Sequence, residues 1–147
     1  MIDGQTYSRL QDVIRHEGRS LLQYAIDSFP WTTASEREAV PRLHELAHEE
    51  AEANAALARY LVKHRLTPPW LGAYPMAFTS FNFLSLDRLL PLLVEQQRRS
   101  IAELEADVRA IDHAEARGHV QHILDVKRHN LKELEALLLS AKPAMTS

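Results

Sequence analysis

The chain has 147 residues, with 20 acidic and 17 basic side chains, a net charge of −3 at pH 7 with histidine neutral, and no cysteine. That length suits one domain able to bury a real core, and the mildly acidic balance offers no broad basic surface to nucleic acid. Disulfides, zinc–thiolate centres and thiol catalysis are excluded. No apolar run approaches the ~20 residues that cross a bilayer, and residues 1–5 lack the pattern of a signal peptide, so the sequence predicts a cytoplasmic protein.

The first segment, residues 6–28, places Leu10, Val13, Ile14, Leu21, Tyr24 and Ala25 at three- and four-residue spacing, which predicts one helix with one buried face. Phe29, Pro30, Trp31, Thr32 and Thr33 end it, because proline disfavours helix in the residue before it. A capping box, Ser35 with Glu38, opens the second helix, residues 35–65. Its buried stripe reads Leu43, Leu46, Glu50, Asn54, Leu57 and Leu61. Beside it run Ala47, Ala51, Ala55 and Ala58, small enough to admit a neighbouring helix at close range.

Residues 66–84 form a long connection with Pro68, Pro69, Gly72 and Pro75, and with the aromatics Trp70, Tyr74, Phe78, Phe81 and Phe83. Loops of this length are uncommon unless they have a task. A helix of roughly thirty residues is about 45 Å long, and the connection reaches about 60 Å when extended, so it spans the domain end to end. Its aromatics either cover a seam between helices or face a small-molecule ligand or partner.

The third helix, residues 85–111, carries Leu86, Leu90, Leu93, Gln97, Ile101, Leu104, Val108 and Ile111 in heptad-like register, with a kink expected at Pro91. A turn at Asp112 and His113 leads to the fourth helix, residues 114–141. Its seam reads Val120, Ile123, Lys127, Asn130, Leu131, Leu134, Leu137, Leu138 and Ala141, before a frayed tail at residues 142–147. The fold class is therefore all-α, four helices joined short, long, short. Stepping each helix at ~100° per residue puts five polar residues on the apolar seams near mid-helix: Glu17, Glu50, Gln97, Lys127 and Asn130.

Four helices with one long crossover between helices 2 and 3 resemble the ferritin-like four-helix bundle. Glu17 followed seven residues on by Tyr24 resembles the first-helix glutamate and tyrosine of rubrerythrins and bacterioferritins. Leu43, His44, Glu45, Leu46, Ala47, His48, Glu49 and Glu50 resemble the approach to their second-helix Glu-x-x-His. The resemblance implies a di-iron site built from one glutamate on each of two helices and Glu-x-x-His on each of the others. Matched to that pattern, Glu17 and Glu50 keep the ligand type. Ala53 stands at the second-helix histidine, Gln97 at the third-helix glutamate, and Lys127 and Asn130 at the fourth-helix Glu and His. A one-residue slip reaches only Glu49 with Glu52, or Val126 with His129; Glu95 lies opposite the apolar arc, and the pair Glu45 and His48 faces away from the seam.

A buried charge needs a partner, so three readings of the cluster stay open. Lys127 replaces the metals as counter-ion to Glu17 and Glu50; Glu17 and Glu50 retain a weak iron or manganese site; or Lys127, with a depressed pKa, is a catalytic base or nucleophile. Two outer groups, His44, His48 and Glu52, and His122, Asp125 and His129, share helix faces as surface histidines or an adventitious metal site. The expected function is a binding or structural protein that has lost di-iron ferroxidase chemistry, with no cofactor and no catalytic residue assigned. The alternative is an atypical iron- or manganese-dependent oxidoreductase. Leu92 and Val126 lie off the seams, in keeping with a homo-oligomer such as a dimer through a helical face or the aromatic crossover.

Overall fold

The computed structural model describes residues 2–28, 34–82 and 84–141. Helix α1, Gly4–Gly18, starts where the Asp3 carboxylate accepts a hydrogen bond from the Thr6 amide at 2.7 Å, satisfying a first-turn donor that has no partner inside the helix. The single helix expected over residues 6–28 is interrupted. Gly18 closes α1, Arg19 leaves helical geometry, and Ser20 Oγ accepts from the Gln23 amide at 3.2 Å to start α2, Leu21–Ser28. A glycine followed two residues on by a serine is the stop-and-restart signal of successive helices.

Helix α3, Ala34–Lys63, runs through Pro41. It stops where Arg65 takes φ 61°, the Leu66 amide donates to Leu61 O at 2.9 Å and the Arg65 amide donates to Val62 O at 2.9 Å. This pair of bonds closes a helix through a left-handed residue, a place where glycine is usual. A short 3-10 helix, Met76–Phe81, lies in the connection to α4, Leu86–Ala110, which stays one helix across Pro91. At the expected turn, His113 Nδ1 accepts from the Ala116 amide at 3.3 Å and opens α5, Ala114–Ala141. Among the described residues there is no strand, and no helix is long and apolar enough to cross a membrane. The Ser35 side chain of the expected capping box, residues 29–33, Phe83 and the tail at residues 142–147 lie outside what is described.

The apolar faces meet in two clusters. One joins Leu10, Val13 and Ile14 of α1 to Leu57 and Leu61 of α3, Ile101 and Leu104 of α4, and Val120 and Ile123 of α5. The other joins Leu21, Leu22, Tyr24 and Ala25 of α2 to Leu43 and Leu46 of α3, Leu89, Leu90 and Leu93 of α4, and Leu134 of α5. Burial of such side chains, at about 1.5–3 kcal/mol each, is the main term holding the helices together. The break at Arg19 and Ser20 matters here, because α1 feeds one cluster and α2 the other. Leu92 and Val126, expected off the seams, are half-buried and pack against the second and first cluster respectively.

The connection divides into two parts. Tyr74, Phe78 and Phe81 fold down on α2: the Tyr74 ring meets Tyr24 edge-on at 5.2 Å, and Phe78 lies 5.5 Å from Tyr24. The Tyr24 hydroxyl donates to Asn82, and the Tyr74 hydroxyl donates to Asp27 at 2.7 Å. Burial, followed by the Asp27 hydrogen bond and charge, raises the Tyr74 pKa. Trp70, by contrast, is 88% exposed, so the aromatic seam expected from the sequence covers the second half of the connection only.

Candidate functional site

Between the two apolar clusters lie the buried polar side chains Glu17, Glu50, Asn54, Gln97, Ser100, Lys127 and Asn130. They come in helical pairs, Glu50 with Asn54, Gln97 with Ser100 and Lys127 with Asn130, whose three- or four-residue spacing puts both members on one face. Glu17 stands one residue before the end of α1. The five residues selected by periodicity, Glu17, Glu50, Gln97, Lys127 and Asn130, thus meet at one level.

Lys127 is the centre. It is 2% exposed, and its Nζ lies 3.2 Å from Glu17 Oε2 and 3.4 Å from Glu50 Oε1. Ser100 Oγ lies 3.0 Å from each Glu17 oxygen, within donating distance of both. Gln97 Nε2 donates to Glu50 Oε2 at 2.7 Å and to the Lys127 carbonyl at 3.2 Å, while Asn130 Nδ2 donates to Glu50 Oε2 at 3.0 Å and to the Leu46 carbonyl at 3.2 Å. Each carboxylate therefore has the cation plus at least one neutral donor, which is what a buried charge requires. Among the described residues, two buried side-chain acceptors have no partner: Asn130 Oδ1 and Asn54 Oδ1.

Burial by itself would depress the Lys127 pKa, but the charges of Glu50 and Glu17 and their hydrogen bonds outweigh it, and the net shift is upward. A lysine acting as base or nucleophile needs the opposite shift. An upward shift favours the charged ammonium beside the two carboxylates.

The ferritin-like pattern calls for two metal ions at this level, and the donors present do not fit them. Two carboxylates remain of the ligand set, and the ammonium of Lys127 stands between them, where a cation would bridge. The other positions hold amides and an alanine, Ala53, in the core. Among the described residues, no group of three or more His, Cys, Asp or Glu side chains is arranged to hold a metal ion.

The remaining sequence candidates face solvent. His44, His48, Glu49, Glu52, Glu45 and Glu95 are exposed; Glu45 pairs with Arg42 at 2.6 Å, Glu52 with Arg59 at 2.9 Å, and Glu95 with Arg99. His122, Asp125 and His129 are exposed on α5, where Asp125 accepts from Gln121 at 2.9 Å and His129 lies 3.7 Å from Glu133. Ser100 escapes the seam count, although its place three residues after Gln97 on the same face was the available signal.

One further feature adjoins the cluster. The alanine stripe of α3 meets α2 at Ala47, which is buried in the second cluster and whose carbonyl accepts from Gln23 Nε2 at 2.7 Å; farther along, Ala51, Ala55 and Ala58 border a cavity of about 380 Å³ together with Ile14, Glu17, Gly18 and Gln23 of α1 and α2, Asn54, and Pro68, Pro69 and Leu71 of the connection. Compared with protein families, curated proteins and solved structures, the chain gives no significant match to any of them.

Proposed function

We propose that this is a ferritin-like four-helix bundle whose di-metal centre has been replaced by a metal-free Glu17–Lys127–Glu50 cluster, leaving a cytoplasmic binding or structural protein without ferroxidase chemistry. In this reading α1 and α2 together form the first helix, and residues 64–85 form the long crossover. The make-up of the two apolar clusters supports it. The C-terminal halves of α3 and α4 share one cluster and their N-terminal halves the other, so these helices run in the same sense, as a lengthwise crossover requires.

The observation that carries the functional reading is the Lys127 ammonium, 3.2 and 3.4 Å from the two carboxylates. It meets the charge requirement that metal ions meet in the resembling proteins, and removes the need for them. Elemental analysis of untagged protein, grown with iron, manganese and zinc and purified without chelator, tests this directly. The expected result is substoichiometric metal and no ferrous oxidation. Stoichiometric iron or manganese that disappears in Glu17→Ala or Glu50→Ala would overturn it and establish the oxidoreductase instead.

A further inference from the structure

We infer that the side of the bundle formed by α1, the C-terminal half of α3 and residues 67–73 is a docking surface for an anionic lipid bilayer, with Trp70 and Leu71 entering the headgroup region. The inference goes beyond the metal-free reading of the cluster and does not use it. It starts from an asymmetry of charge. The whole chain carries −3, yet residues 53–86 hold no aspartate or glutamate while holding Arg59, Lys63 and Arg65. Among the described residues, four of the five exposed large apolar side chains fall in the same stretch: Val62 at 61%, Trp70 at 88%, Leu71 at 37% and Met76 at 86%. Apolar and cationic groups are concentrated together on a chain that is acidic elsewhere.

The fold keeps them together. The connection runs along α1: the Tyr7 hydroxyl donates to Thr67 O at 2.7 Å, Leu71 lies against Gly18, and Arg19 Nη1 donates to Ala73 O at 3.4 Å. Gly72 takes φ 73°, a left-handed conformation that favours glycine. A Cβ built on it would lie 3.8 Å from the Trp70 ring and 4.0 Å from Arg19 Nη1, so the exposed indole and a guanidinium are neighbours. On α3, Val62 continues the row of Ala55 and Ala58 that borders this segment. In α1 from Tyr7 and in α3 from Ala51, the carboxylates are Glu17, which is buried, Asp12, paired with Arg15 at 2.9 Å, and Glu52, paired with Arg59 at 2.9 Å. Among the described residues Arg19, Lys63 and Arg65 pair with no carboxylate, which leaves this side cationic.

That combination fits a bilayer better than a protein. The exposed large apolar side chains offer roughly a few hundred Å², below the ~800 Å² per partner of a stable protein interface. Binding to a membrane surface needs only a modest apolar insertion supported by attraction to anionic lipid, and indole rings favour the headgroup level. Each lysine or arginine near such a surface strengthens binding about fivefold.

Sedimentation of the full chain with vesicles of phosphatidylcholine alone, or containing about a third phosphatidylserine, tests this. Partition onto the anionic vesicles is expected, about a hundredfold weaker onto neutral ones, and largely lost at about 0.5 M salt. Trp70→Ser should weaken it about tenfold or more at unchanged circular dichroism, since the side chain is 88% exposed. Lys63→Gln with Arg65→Gly should weaken it about twenty-five-fold, and glycine suits the φ of 61° at residue 65. Leu139→Ser, at an exposed leucine of α5, should leave it unchanged. Equal partition onto both vesicles, no partition by folded wild type, or partition that survives Trp70→Ser would overturn the inference. A Trp70-dependent dimer in solution without vesicle binding would also overturn it, in favour of self-association. The metal-free reading stands or falls separately, on metal content.

Discussion

The two flanks of Glu17 are built differently. Toward α4 and α5 its carboxylate meets Ser100 at 3.0 Å and Lys127 at 3.2 Å, in the most extensively packed part of the molecule. Toward α3 and the connection it borders a cavity roofed by two prolines and a leucine, beside an asparagine oxygen that nothing satisfies. One flank is closed by charge pairing and hydrogen bonds, which serves stability. The other borders an open volume, while a buried asparagine oxygen without a partner occurs on each side, Asn130 Oδ1 and Asn54 Oδ1.

The closed flank can be broken most severely at Lys127. Lys127→Met leaves Glu17 and Glu50 buried without their cation, and removal of one partner from a buried pair costs about 3–5 kcal/mol. Such a loss is a large part of the stability of a domain this size. Urea denaturation should show it as a large drop in midpoint, and Lys127→Glu should be worse. The triple variant Lys127→Met, Glu17→Gln, Glu50→Gln should recover most of the loss, because the penalty belongs to uncompensated charge and not to lost packing. A Lys127→Glu protein that melts at the wild-type temperature would sink the buried-pair account.

The same comparison has a pH form. The folded Lys127 pKa lies above the ordinary 10.5, so its contribution to stability is fully present below 10.5 and is lost as pH rises through the higher folded value. Wild type should therefore lose stability more steeply above pH 10.5 than the triple variant, in which nothing remains to titrate at that level. Parallel alkaline profiles would show that the ammonium does not stabilise the fold.

Two asparagines set the flanks against each other more finely. Each has an unpartnered Oδ1, but Asn130 also donates to Glu50, whereas Asn54 donates only to a backbone carbonyl. Hydrogen bonds to charged groups contribute about 1.5–3 kcal/mol and neutral ones about 1. Each change also removes an unsatisfied oxygen, which offsets part of both losses, so Asn130→Leu should cost up to about 1.5–3 kcal/mol and Asn54→Leu under about 1 kcal/mol. Matched losses would mean that the cavity flank contributes as much to stability as the closed one.

What could be foreseen divides along the same line. Glu17, Glu50, Gln97, Lys127 and Asn130 were legible because long helices with strong apolar seams fix the direction of each side chain, and a polar residue on a seam is conspicuous. Ser100 was not, since one serine in a helix is ordinary until its neighbour Gln97 is known to be buried. The break at Arg19 and Ser20 was hidden because Ile14, Leu21 and Tyr24 keep helical spacing across it, and only Gly18 and Ser20 marked it. The alanine stripe was legible as a close approach, but what approaches is tertiary information. The sequence pattern favours a helix there; α1 and α2 border the stripe, and residues 68–71 join them around a cavity no periodicity encodes.

The smallest effect is expected where the roof meets α1. A Cβ built on Gly18 would lie 2.8 and 2.9 Å from the two Leu71 Cδ atoms, so Gly18→Ala must push that side chain aside. Leu71 is 37% exposed and can swing outward. Alanine is favoured over glycine in a helix by about 0.8–1.0 kcal/mol, and the displaced contact offsets much of that gain. Net stability should change by within about 0.5 kcal/mol, while amide exchange at residues 69–72 should accelerate as the roof loosens. A loss above about 2 kcal/mol would be the signature of a rigid, well-packed site and would make the roof a structural lid. A near-neutral change with faster exchange would mean that the cavity flank opens at little energetic cost.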